Sequence, residues 1–216
     1  MAKISPKSTF LLTLYGYPGS GKTYLSRQLS EVINAVHLDS ERIRQELFSH
    51  PVYDLPENKK LWQIMNYLAE KFLSVGVSVI FDYNAGKSFQ RHQLKSLARK
   101  HAATNLVVWQ QIDPETAYSR NRRRDKRKSD DKYSVVISPD VFKSMISSMQ
   151  NPTNSEDYVV VSGKHVFQTQ KNAVLNKMRQ LNIIDDQIAQ EHLTMPGMVN
   201  LIPNAINSNH RNVIIR

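Results

Sequence analysis

The sequence predicts an α/β protein of three layers: a five-stranded parallel sheet, in the order 2-3-1-4-5, with helices on both faces. Three observations carry this. Residues Gly16 to Thr23 read G-Y-P-G-S-G-K-T, the G-x-x-x-x-G-K-[ST] spacing of a phosphate-binding P-loop, the Walker A motif. Strand-like and helix-like segments alternate along most of the chain, which implies a parallel sheet covered on both sides. Two acids, Asp39 and Asp82, each close a short apolar run, at the sheet edge where open α/β proteins bind ligands.

The elements follow in order. Phe10 to Tyr15 is a buried-strand run, and Tyr24 to Ile33 carries Leu25, Leu29, Val32 and Ile33 at helical spacing. Strand, loop and helix are the context a P-loop needs. Ala35 to Asp39 reads as the second strand and Ser40 to Phe48 as a helix. Pro51 to Pro56 is a breaker-rich link. Glu57 to Val75 is a long helix with an apolar stripe of Leu61, Ile64, Met65, Leu68 and Phe72, ended by Gly76. Val77 to Phe81 is the third strand, a helix runs near Lys87 to His101, and Thr104 to Ile112 is the fourth strand. Asp113-Pro114-Glu115 and Ser138-Pro139-Asp140 are helix-start signals. Tyr158 to Val161 is the fifth strand, and Val166 to Leu181 the last helix. The expected domain is 1–182, with a basic lid at about 120–138. Residues 183–216 lose periodicity and read as a C-terminal appendage.

The motif assigns chemistry residue by residue. Gly16, Gly19 and Gly21 supply bare backbone whose N–H groups converge on phosphate oxygens, with Pro18 and Ser20 completing the loop. Lys22 is placed to reach the β- and γ-phosphates, and the Thr23 hydroxyl to bind Mg²⁺. The helix that follows turns its positive end toward them. Asp82 is followed by Tyr83 and Asn84, so the water-activating Glu of motor ATPases is missing there, and no N-K-x-D guanine-reading motif occurs. Both absences favour a kinase, which keeps water from the γ-phosphate.

A kinase needs a base for the attacking hydroxyl. Asp39 is that candidate, or it caps the next helix; the two roles are compatible. Arg42, three residues on, is a candidate substrate contact. Asp82 is a candidate for a Mg²⁺-bound water or a substrate hydroxyl, or it caps the helix near Ser88. Arg91 either projects back to substrate or is an exposed helix charge. Arg120 to Lys128 holds seven cations and one acid. Arg120, Arg123 and Arg124 share a helical face and suit a lid that neutralises a transferring phosphoryl group. The other cations suit a solvated face or a nucleic-acid backbone.

Composition sets the outer limits. Net charge is +10, which suits a polyanionic partner or a cationic lid. There is no cysteine, which excludes disulfides and thiolate chemistry. No apolar run reaches about 18 residues, and the N-terminus lacks a secretory pattern; a cytoplasmic location and no membrane partner are expected. The seven histidines show no metal-ligand spacing and read as surface or core residues.

Taken together, G-Y-P-G-S-G-K-T, D-S-E-R at Asp39 to Arg42, F-D-Y-N at Phe81 to Asn84 with Arg91 following, the arginines of the lid and V-V-V-S-G at Val159 to Gly163 resemble the small P-loop kinases. These are the group of the polynucleotide kinase 5′-hydroxyl kinase domain and the zeta-toxin-type kinases, whose bacterial members are often called AAA-family ATP-binding proteins. The resemblance spans roughly Phe10 to Leu181. It implies a P-loop NTPase fold, ATP and Mg²⁺ at Lys22 and Thr23, Asp39 as general base and Arg42 as a substrate contact. It also implies Arg120 with Arg123 or Arg124 on phosphates or adenine, and the Ser162-Gly163 turn near the adenine. The acceptor is then a hydroxyl on a nucleic acid or a small molecule. The alternative is a nucleotide-dependent nucleic-acid-binding or regulatory ATPase without kinase activity.

Overall fold

A computed structural model describes residues 3–125, 132–133 and 135–185. Residues 126–131 and 134 of the expected lid, and all of the expected appendage after Asp185, lie outside the described residues. The sheet holds five parallel strands: β1 (Phe10–Tyr15), β2 (Val36–Asp39), β3 (Val79–Asn84), β4 (Thr104–Gln111) and β5 (Tyr158–Ser162). Their order is β2-β3-β1-β4-β5, as the sequence predicts. The helices are α1 (Lys22–Val32), α2 (Ser40–Leu47), α3 (Leu55–Ser74), α4 (Ser88–Lys100), α5 (Pro114–Arg122), α6 (Pro139–Ser147) and α7 (Phe167–Gln180).

All six residues of β1 are buried, as they must be in a central parallel strand covered on both faces. Its alternate side chains serve two cores. Leu12 and Leu14 join Leu25 and Leu29 of α1 and Val174, Leu175 and Met178 of α7. Leu11 joins Phe81 of β3, Leu61 and Met65 of α3, and Leu94 and Ala98 of α4 on the other side.

Two boundaries differ from expectation for local physical reasons. The expected link Pro51 to Pro56 already contains the start of α3: Asp54 caps it by accepting from Glu57 N at 2.8 Å, and Pro56 sits in the first turn. Proline belongs there, because its missing N–H has no helical partner to lose. The third strand continues past Phe81 to Asn84, through a register shift against β1 at Thr13/Leu14. That shift lets Asn84 Oδ1 accept from Gly16 N at 3.4 Å, which ties the strand end to the P-loop.

Short segments at both ends of the described chain add to the core. Ile4 is buried and bridges Ile33 beside β2. Ile183 and Ile184 are buried in the α1/α7 core, and Lys7 N donates to Ile183 O at 2.8 Å. The packed unit therefore runs through Ile184, two residues beyond the boundary expected at 182. Among the described residues no helix is long and apolar enough to cross a membrane.

Candidate active site

The loop between β1 and α1 is shaped by contacts that exclude side chains. Gly19 has φ +85°, and a Cβ on it would drive into Ala117 O of α5. Gly163, after β5, packs so that a Cβ would meet Ser20 O at 2.8 Å. The loop is thus clasped between α5 and the β5 turn. A Gly19→Ala substitution combines left-handed strain with a backbone clash. Its expected result is loss of nucleotide binding with a lowered melting temperature, read by thermal shift with and without ATP.

Lys22 opens α1, and its Nζ donates to Gly16 O and Tyr17 O, both at 2.9 Å. Burial pulls its pKa down to about 8; Asp82 opposes this and the Arg124 guanidinium adds to it. Arg124 therefore stands within electrostatic reach of the P-loop lysine, while its Nη1 donates to Val135 O at 2.9 Å. Arg120 Nη1 donates to Gly163 O at 2.7 Å, which brings the end of α5 and the β5 turn together. Arg123 is exposed at the end of α5.

The strand ends β2 and β3 bring the acids together. Asp82 is buried. Its Oδ1 lies 3.4 Å from Thr23 Oγ1, and its Oδ2 accepts from Ser26 Oγ at 2.7 Å and contacts His37 Nε2 at 3.1 Å. Asp39 Oδ1 accepts from the N–H groups of Glu41 at 3.0 Å and Arg42 at 3.1 Å. It thus caps α2 while its other oxygen is left to the crevice. Burial, then the charge of Asp82, push the Asp39 carboxyl up; the Arg42 N–H, His37 and the Glu41 N–H pull the other way. Ligand atoms of His37, Asp39 and Asp82 all lie within 4.8 Å of one another. With the Thr23 hydroxyl this is an oxygen-rich donor set that fits a small hard cation such as Mg²⁺. Arg42 is exposed at the first turn of α2.

Arg91 lies elsewhere. It is 1% exposed. Its Nε and Nη2 pair with Glu156 at 2.6 and 3.1 Å, Nη1 donates to Ala85 O at 3.0 Å, and Nη2 reaches Asn151 O at 3.2 Å. Four of the five guanidinium N–H groups are bonded inside the protein, where they lock α4 to the segment before β5, and the fully buried side chain is turned away from substrate. Glu156 is 65 positions away, and no local pattern announces it. Removing one member of a buried ion pair leaves an uncompensated charge. Arg91→Ala should lower the unfolding free energy by about 3–5 kcal/mol in urea denaturation. The double variant Arg91→Met with Glu156→Leu should recover much of that loss.

Two residues near the acids escaped the sequence reading though a signal was present. His37 and Asp39 are two apart on a strand, hence on one face. Ser26 is three residues after Thr23, hence on the same side of α1. Asn121 had no such signal. It is buried, and its side chain ties α5 to the segment before α6 by bonds to Val135 O at 2.9 Å and from Ile137 N at 3.0 Å. Next to the loop on the β4–β5 side, a cavity of about 450 Å³ is lined by Gly16, Tyr17, Trp109, Asp113, Ser162 and Lys164, among others.

Solved structures share this architecture. A sugar kinase from Janibacter sp. HTCC2649 is 13% identical and superposes with a TM-score of 0.60, over 87% of this chain and 99% of that one. Kti12 from Chaetomium thermophilum, solved with ADP-AlF3, is 15% identical with a TM-score of 0.62, over 81% and 99%. The Mycobacterium tuberculosis APS kinase, solved with AMPPNP and APS, is 15% identical with a TM-score of 0.57, over 81% and 99%. At such identities the likeness is one of fold, the P-loop kinase fold. No curated protein matches the chain. The AAA domain family matches residues 11–152, from the first strand to the segment before β5, and this chain belongs to that family.

Proposed function

We propose that this protein is an ATP-dependent kinase that moves the γ-phosphate of ATP to a hydroxyl acceptor in the cytoplasm. The observation that carries the reading is the joining of three strand ends at one crevice: the P-loop with Lys22 and Thr23, Asp82 behind Thr23, and Asp39 beside them. Lys22 binds the β- and γ-phosphates. Thr23 and Asp82 would hold Mg²⁺, which when bound neutralises phosphate charge. Asp39 accepts the acceptor's proton, and its raised pKa brings it closer to the working pH of a general base. Arg124, close to Lys22, meets the transferring group, with Arg123 on the phosphates. Arg120 and Gly163 face the adenine, and Arg42 the acceptor. The position after Asp82 holds Tyr83, whose ring packs 5.1 Å from Trp62, so that position supplies no base for water.

The +10 charge favours a second reading, a nucleotide-dependent nucleic-acid-binding protein. ADP formation separates the two. A kinase releases ADP in proportion to an added hydroxyl acceptor, with little phosphate. ADP formation matched by free phosphate, stimulated by nucleic acid and steeply salt-dependent, supports the second reading and contradicts the first.

A further expectation concerns protons. The Lys22 amine loses its proton as pH rises through about 8, and bound phosphates favour the ammonium form. Binding ATP at pH 8 should then take up about half a proton per site. Calorimetry in two buffers of different ionisation enthalpy measures it, and the uptake should vanish at pH 6.5, where the amine is already charged.

A further inference from the structure

Between β2 and α3 the chain builds a network with no role in the chemistry described so far. Arg44 is 3% exposed; it pairs with the buried Glu57 and donates to Asn58 Oδ1 at 2.7 Å. Val52 N donates to Glu57 Oε2 at 2.7 Å, and Asn58 Nδ2 to Tyr53 O at 3.1 Å. These bonds hold Tyr53 at φ +59°, a left-handed conformation that is an outlier for a bulky residue. The Arg44 guanidinium caps the Tyr53 ring at 4.3 Å. The phenol then donates to Glu41 Oε2 at 3.1 Å, and Arg44 Nε lies 3.6 Å from the same oxygen. Backbone strain persists where the surroundings over-determine it, and it clusters at binding sites.

The network ends on Glu41, a carboxylate that stands two residues from Asp39 and a third exposed. Both supports engage Oε2. Glu41 N donates to Asp39 Oδ1 at 3.0 Å, and Asp39 pairs with Asp82 across β2 and β3, which places all three acids at one edge of the sheet. Holding a third carboxylate there costs repulsion, and the fold spends a buried ion pair and a strained tyrosine on doing so. With Asp82 given to Mg²⁺ and Lys22, the first turn of α2 offers one exposed guanidinium, Arg42, against the carboxylates of Asp39 and Glu41. A phosphate on the acceptor would meet those two carboxylates, whereas N–H or O–H donors would be drawn to them.

We propose that Glu41 is an acceptor-binding residue, positioned by Tyr53 and Arg44, and that the acceptor is an uncharged or cationic hydroxyl compound. The inference rests on the kinase reading above and names its substrate class. The +10 charge then belongs to the lid and the rest of the surface rather than to the acceptor edge.

The test is equilibrium binding and steady-state transfer with a panel of neutral sugars, aminosugars, nucleosides, sugar phosphates and a 5′-hydroxyl oligonucleotide. Binding is measured with AMPPNP and Mg²⁺ present. A neutral or cationic compound should bind best. Glu41→Gln should raise its Kd and KM by about tenfold or more, with kcat changed less and ATP affinity unchanged. Tyr53→Phe should shift KM in the same direction by about threefold. An anionic compound as the best ligand, no ligand in the panel, or an unchanged acceptor KM in Glu41→Gln would overturn the proposal. Binding that depends on Glu41, without any transfer of phosphate, would support the Glu41 assignment and sink the kinase reading instead.

Discussion

Lys22→Ala should cost at least about a hundredfold in ATP affinity or turnover, the scale of losing one preorganised charge at a transferring group. The ammonium is already aimed into the loop, donating to Gly16 O and Tyr17 O at 2.9 Å each. A triphosphate entering the loop exchanges those carbonyls for charged oxygens, a stronger acceptor. Among the described residues Arg124 is the cation that acts on Lys22, and it is committed in part to Val135 O, so it replaces the lysine poorly. Binding of a fluorescent ATP analogue measures the effect, and affinity within twofold of the wild type would refute the assignment. Because α1 keeps its packing through Leu25 and Leu29, the variant should stay folded.

Asp39→Asn should behave in the opposite way. An amide cannot take up the acceptor's proton, yet its oxygen can still accept from Glu41 N and Arg42 N and cap α2. ATP affinity should stay within about threefold while kcat falls by about 10²–10⁴, the range typical of general-base loss. The pH profile of the wild type should show activity falling as pH drops and Asp39 is protonated. That limb should lie above the ordinary aspartate range, since burial and Asp82 raise this carboxyl. A residual rate near wild type in Asp39→Asn would remove the base from this position.

The sheet order and the loop were legible because they depend on local patterns. Apolar runs, glycine spacing and acids at strand ends are written within a few residues of each other. What was not legible depends on distant pairs. Arg91 looked like a helix cation free to meet substrate, but its partner Glu156 comes from the segment before β5. The Tyr53 network lies in a stretch that reads as a plain link, yet Arg44 and Glu57 meet there across 13 positions. Ile4, Ile183 and Ile184 fill the core from segments too short to show a period. Ser26 and His37 sat at readable spacings but carried no motif to draw attention to them.

The measurement that bears most directly on the central claim follows the γ-phosphate of labelled ATP with Mg²⁺ present. Wild-type protein, Asp39→Asn and Lys22→Ala are each given 5′-hydroxyl DNA and RNA oligonucleotides beside a pool of small hydroxyl metabolites. The account predicts label covalently attached to an acceptor with the wild type. It predicts bound ATP without transfer in Asp39→Asn, and neither binding nor transfer in Lys22→Ala. ATP bound by the wild type with label on no acceptor, or recovered only as free phosphate, would contradict it.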